Sequence, residues 1–207
     1  MRTLLTVAVA VALPACSAMT PREQVVTAAT PDWRRAATAD DRERLRDWRG
    51  TFVDALKAAR AAGHGGAIDR EGVLLRPDSA LGGGIIPSGD YACRVIKLGA
   101  RSQGMLEFVA YPYFTCRISA QGGLQTFTKL TGSQRQVGLI FPGDGLRQVF
   151  LGTLVLGDES RAMQYGSDRQ RDVAGFIERI GPRRWRLVMP KPHFESQLDV
   201  LELVPVR

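Results

Sequence analysis

Proton transfer at neutral pH most often runs through histidine, and this chain holds two, His64 and His193. His193 stands two residues before Glu195 in His-Phe-Glu, the spacing that zinc deaminases use for a metal ligand and a proton carrier. Those sites also need Pro-Cys-x-x-Cys downstream, and its absence excludes that chemistry. Lys191-Pro192 ahead of the histidine predicts a loop instead. No HExxH helix and no Asp-rich calcium loop is present, so no metal is expected. Gly82-Gly83-Gly84 lacks the Lys-Ser/Thr that completes a phosphate loop and reads as a hinge, so no cofactor is expected.

Nucleophilic catalysis needs a serine on an elbow with a histidine partner. The best serine is Ser133 in Thr131-Gly132-Ser133-Gln134-Arg135, but the second glycine of the elbow is missing. That segment is still the densest polar cluster of the C-terminal half. Thr131, Ser133, Gln134 and Arg135 either line a barrel mouth and grip an anionic ligand or form a hairpin turn, the simpler reading. Glu107, Asp158, Glu159, Glu178, Glu195, Asp199 and Glu202 are scattered, and spacing alone nominates no pair for acid–base work. Pro182-Arg183-Arg184-Trp185-Arg186 has the composition of an aromatic–arginine binding patch. A turn into a strand, with Trp185 inward and the arginines outward, explains it without a ligand.

Three cysteines are too few for a disulfide-dense miniprotein or a four-cysteine zinc site. Met1-Arg2 and the uncharged apolar run from Leu4 to Leu13 have the layout of a secretory signal peptide. The run is half the roughly 20 residues that a membrane-spanning helix requires. Leu13-Pro14-Ala15-Cys16 resembles the lipobox of bacterial lipoproteins, in which the cysteine thiol takes a diacylglycerol and becomes the mature N-terminus. Pro14 stands where a small Ala, Ser or Thr is usual. Ordinary cleavage after Ala15 or Ala18, leaving a soluble periplasmic protein, is the alternative. Setting Cys16 aside leaves Cys93 and Cys116 in matching strand-like contexts, and an oxidising compartment predicts a disulfide between them. Two buried thiols acting as small hydrophobes are the alternative.

The elements that position these residues follow from pattern. At 207 residues, 44% hydrophobic and 24% charged, the chain suits one globular domain with a small appendage. Residues 1–15 read as leader and 16–37 as a polar tether. In 38–88, a helix starts at the N-cap Thr38 and carries Leu45, Trp48, Phe52, Leu56 and Ala59 on one stripe to Gly63. A shorter helical piece is expected near Ile68 to Leu75. The arginines of the first helix, at 42, 44, 46 and 49, alternate with acids as on a solvated face. The net charge of +7 therefore does not imply a nucleic-acid partner, and export removes one.

From Gly89 to the end, alternation replaces the helical period, with strands expected at Leu106–Ala110, Leu124–Leu130, Met163–Tyr165 and Leu198–Val204 among others. The fold class is α+β, mostly β: an N-terminal amphipathic helix, then an antiparallel barrel-like or sandwich domain of eight to ten strands in 89–207. Closure makes the barrel the better choice, because it removes sheet edges.

GDYACRVIKLG, VAYPYFTCRI, FTKLTGSQR, VFLGTLVLGDE and the closing IERIGPRRWRLV with LDVLELVP resemble a family of exported bacterial proteins, domain of unknown function 4893. The likeness runs from about Asp32 to Pro205 and implies no activity and no catalytic residue. The expectation is an exported, non-catalytic envelope protein, held at the membrane by a lipid on Cys16 and binding a small ligand or another envelope component. A periplasmic hydrolase with a carboxylate or His193 in the barrel mouth is the alternative, and a structural role a third.

Overall fold

The computed structural model describes residues 31–206. The expected leader, the lipidation site Cys16 and most of the segment read as a tether lie outside the described residues. Residues 32–37, the end of that segment, contain the short helix α1 (Trp33–Ala36), capped by the Asp32 carboxylate, which accepts the Arg34 N–H at 3.0 Å.

Helices α2 (Ala39–Arg46) and α3 (Trp48–Ala59) replace the single expected helix. Thr38 caps α2 as expected, its hydroxyl accepting the Asp41 N–H at 3.1 Å. Asp47, at φ −92° and ψ 9°, ends one helix and begins the next. The break has a packing cause: Leu45 joins a cluster with Val149, Leu151 and Ala174, whereas Phe52, Ala55 and Ala59 join another with Ile96, Leu98, Val188 and Val200. A straight helix cannot follow a curved barrel wall to both. Past α3 the chain kinks within Arg60–His64 at Gly63, which takes φ 91°, then α4 (Gly65–Glu71) and a 3-10 turn (Gly72–Leu75) complete the helical layer.

Nine antiparallel strands follow: β1 (Gly89–Ala100), β2 (Phe108–Ala110), β3 (Phe114–Gln121), β4 (Leu124–Lys129), β5 (Gln134–Phe141), β6 (Arg147–Leu156), β7 (Asp172–Gly181), β8 (Arg184–Pro190) and β9 (Ser196–Pro205). Pairing runs β1-β3-β4-β5-β6-β7-β8-β9, and β9 returns to β1, closing an eight-stranded barrel. The short β2 continues the β3 edge of β1, pairing residues 96–98. Expected strands at Met163–Tyr165 and Leu106–Ala110 differ from this. The first is a loop, because the Tyr165 hydroxyl turns to Asp41 and Thr38 on α2; the second shortens to β2.

Strand alternation divides the residues between interior and wall. Tyr91, Cys93, Val95, Cys116, Ile118, Phe127, Phe150, Leu187, Leu201 and Leu203 are buried together inside the barrel. Eight strands enclose a space that side chains can fill, and here they fill its middle. Gly138 and Gly152 face each other across β5 and β6, and the Phe150 ring lies against them, 2.8 Å from where a Cβ on Gly138 would stand. Cys93 and Cys116 are joined as a disulfide between β1 and β3. The outward residues of β1, β8 and β9 pack under α3 and α4.

Candidate functional site

Polar residues enter the barrel at one end only where the inward phase of a strand carries them there. Lys97 follows Tyr91, Cys93 and Val95 on β1; Lys129 follows Phe127 on β4; Asp199 precedes Leu201 and Leu203 on β9. Gln134 and Gln136 at the start of β5 and Glu195 ahead of β9 complete the ring. Lys97, Lys129, Gln134, Gln136 and Glu195, with Ser133, Tyr111, Phe114 and Val95, line an open cavity of about 110 Å³, and Asp199 stands behind Lys97. That space suits a few waters or one compact polar group.

One side of the mouth is a satisfied ion pair. The Lys97 Nζ donates to Asp199 Oδ2 at 3.0 Å and lies 3.3 Å from Glu195 Oε2. Burial pulls the Lys97 ammonium down, but Asp199 and Glu195 outweigh it and hold its pKa above the ordinary lysine value. Burial also pushes the Asp199 carboxyl up against the pull of Lys97. We take the pair as ionised, since Lys97 Nζ and the Ser196 hydroxyl both donate to that carboxylate. Glu195 takes φ 67°, a left-handed conformation unusual for a side-chain-bearing residue, and accepts the Gln134 amide at 3.1 Å.

The other side is not balanced. Lys129 is 3% exposed and meets no carboxylate among the described residues. Its Nζ donates to the Thr131 and Gln134 carbonyls, both at 2.9 Å, and sits 3.8 Å from the centre of the Phe114 ring. Burial, with the nearby charges of Arg135 and Lys97, brings its pKa down to about 8. Beside it the Gln136 Oε1 is buried and takes no partner among the described residues. A buried ammonium without a counter-ion is costly, and the two carbonyls and the Phe114 ring offset only part of that cost.

The segment singled out from sequence divides in two. Ser133 and Gln134 line the cavity. Thr131 and Arg135 face the turn: the Thr131 hydroxyl accepts the Thr115 N–H at 3.0 Å, and Arg135 spends its guanidinium on the carbonyls of Gly132, Gly157 and Glu159. His193 lies away from the cavity, near Arg44, Arg101, Asp41 and Asp172, and burial with the two arginines lowers its pKa. Lys97, Lys129, Gln136 and Asp199 were not singled out as site residues. The signal for them was a charged or amide side chain on the apolar phase of a strand.

Ionisable groups outside the barrel serve its wall. Arg94 bridges Glu71 and Glu202, and Arg184 also reaches Glu202, at 2.5 Å. Arg147 holds Glu178 at 2.6 Å while its guanidinium lies over the Trp48 ring. These contacts clamp the helical layer to the strands. No curated protein and no solved structure matches the chain. The motif resemblance is carried instead by a family model, Domain of unknown function (DUF4893), which matches residues 33–203, and the chain belongs to that family.

Proposed function

We propose that this barrel is a non-catalytic binding domain of the bacterial cell envelope and that its mouth takes a small anionic group. The observation that carries the reading is Lys129: a buried ammonium with no carboxylate partner among the described residues, beside a cavity of about 110 Å³. An oxyanion or the carboxylate of a small acid would supply the missing charge, with the Ser133 hydroxyl and the neighbouring Lys129 ammonium donating to it. The volume admits one such group and nothing as large as a nucleotide. The Cys93–Cys116 bridge supports export to an oxidising compartment, where a lipid on Cys16 would tether the domain to a membrane.

A mouth-located hydrolase has less support. Glu195 and Asp199 are both at the mouth, but each is engaged by Lys97, and His193 is not with them. The filled middle of the barrel leaves no channel for an extended substrate.

Calorimetric titration and thermal melting with acetate, phosphate and sulfate, at pH 7 and constant ionic strength, test the binding reading. Saturable binding is expected for at least one of them, stabilising by about 2.7 kcal/mol at one hundred times its dissociation constant. Lys129→Met should abolish it. Absence of any saturable anion effect would overturn the proposal.

A further inference from the structure

The opposite end of the barrel is stopped by the segment 81–87. Ile86 is buried in the barrel core, its N–H donating to Gln148 Oε1 at 2.9 Å and its carbonyl accepting from Gln125 Nε2 at 2.7 Å. Next to this stopper opens a cleft of about 480 Å³, within the range of small-molecule sites. Its lining includes the core residues Ile140, Ile177 and Trp185. Leu81, Ile85 and Leu146, also among its lining, are 44%, 69% and 45% exposed, an apolar margin in contact with solvent.

Three charged side chains line this cleft, Asp144, Arg147 and Arg179. Arg147 is taken by Glu178. Asp144 folds back to accept the N–H groups of Leu146 and Arg147 at 2.8 and 2.7 Å, and its other oxygen lies 3.9 Å from the Arg147 guanidinium. Arg179 has no carboxylate partner among the described residues; its Nη2 donates to the Gly82 carbonyl and its buried Nε meets nothing. The indole N–H of Trp185, a residue 6% exposed, also has no partner among the described residues.

A largely apolar lining, an exposed apolar margin and a guanidinium with no carboxylate at ion-pair distance among the described residues describe the complement of an anionic amphiphile. We propose that the cleft binds a free single-chain fatty carboxylate, the chain lying on Ile85, Leu146 and Ile177 and the head pairing with Arg179. The guanidinium fork matches a carboxylate in two parallel hydrogen bonds, which an ammonium cannot reproduce. The site is separated from the mouth by the packed barrel interior, and the two proposals fail independently.

Dodecanoate, used below its micellar concentration against the full chain, is the probe, followed by calorimetry and by quenching of tryptophan emission with a brominated analogue. One-site saturable binding is expected. Arg179→Met should weaken dodecanoate by about tenfold or more while changing dodecanol less than about twofold, as for loss of a charge-assisted pair. Because Arg179 also holds Gly82, Arg179→Gln serves as a second variant that keeps a donor without the charge. Lys129→Met should leave dodecanoate binding unchanged. Three outcomes would overturn the proposal: no saturable binding, equal affinity for dodecyltrimethylammonium, or full affinity in both Arg179 variants. Binding to phosphatidylglycerol vesicles in place of free dodecanoate would overturn it too, assigning the cleft to a membrane surface.

Discussion

Arg186 and Glu178 are cross-strand neighbours on β8 and β7 and form an ion pair that neither shares with solvent, Nη2 lying 2.5 Å from Oε2. Arg186 also donates to the carbonyls of Leu74, Arg76 and Pro77 at 2.8, 2.7 and 2.9 Å. One guanidinium thus ends the helical layer and fastens it to the barrel wall. Burial pulls this guanidinium below its ordinary pKa even though Glu178 opposes the shift.

The first prediction concerns that fastening. Arg186→Met strips several buried carbonyls of their donor and should destabilise by about 3–5 kcal/mol, as for breaking a buried pair. Arg186→Lys should recover only part of the loss, because one ammonium cannot reach all of the same acceptors. Urea unfolding of the three proteins checks the order. Equal midpoints for wild type and Arg186→Met would contradict it.

The Cys93–Cys116 bridge closes a loop of 23 residues between adjacent strands. On the chain-entropy account its removal lowers stability by about 3 kcal/mol, mainly by freeing the unfolded chain. The Cys93→Ala/Cys116→Ala protein should unfold at lower urea than wild type. Adding a reductant that opens the bridge should bring wild type to the same midpoint, with the redox state followed by mass spectrometry of the alkylated protein.

Lys129 supplies a pH signature. Its folded pKa of about 8 lies below the unfolded lysine value near 10.5, so the fold favours the neutral amine. The stability gained from that preference is complete above the unfolded value and is lost as pH falls through 8. Wild type should therefore gain stability relative to Lys129→Met as pH rises from 8 to 10.5. Acylation of Lys129, followed by peptide mass spectrometry, should inflect near pH 8 rather than with the exposed lysines. A saturating mouth ligand should move the inflection upward, since an anion favours the ammonium.

Local pattern carried most of the architecture. Thr38 as a cap, the left-handed Gly63 and the alternation from Gly89 onward each arise from a residue's own backbone preference and that of its near neighbours. The pairing of Cys93 with Cys116 was legible for a similar reason: both occupy the same phase of neighbouring strands, and register makes them diagonal neighbours on the β1–β3 ladder's inner face, Cys116 opposite Tyr91 and Cys93 opposite Phe114. Barrel closure was favoured by the edge argument, though the β1–β9 contact that achieves it joins residues about a hundred positions apart.

Tertiary structure decided what local preference does not encode. Helix continuity across Asp47 yielded to wall curvature, and Tyr165 left a strand-like context to bond Asp41. The mouth was half legible. Ser133 and Gln134 stood out as a polar cluster, whereas Lys97, Lys129 and Asp199 each lie alone on an apolar strand phase. They become a site only when closure brings β1, β4 and β9 to one rim. Whether a buried lysine has a counter-ion depends on distances across the barrel, and that balance exists only in the folded chain.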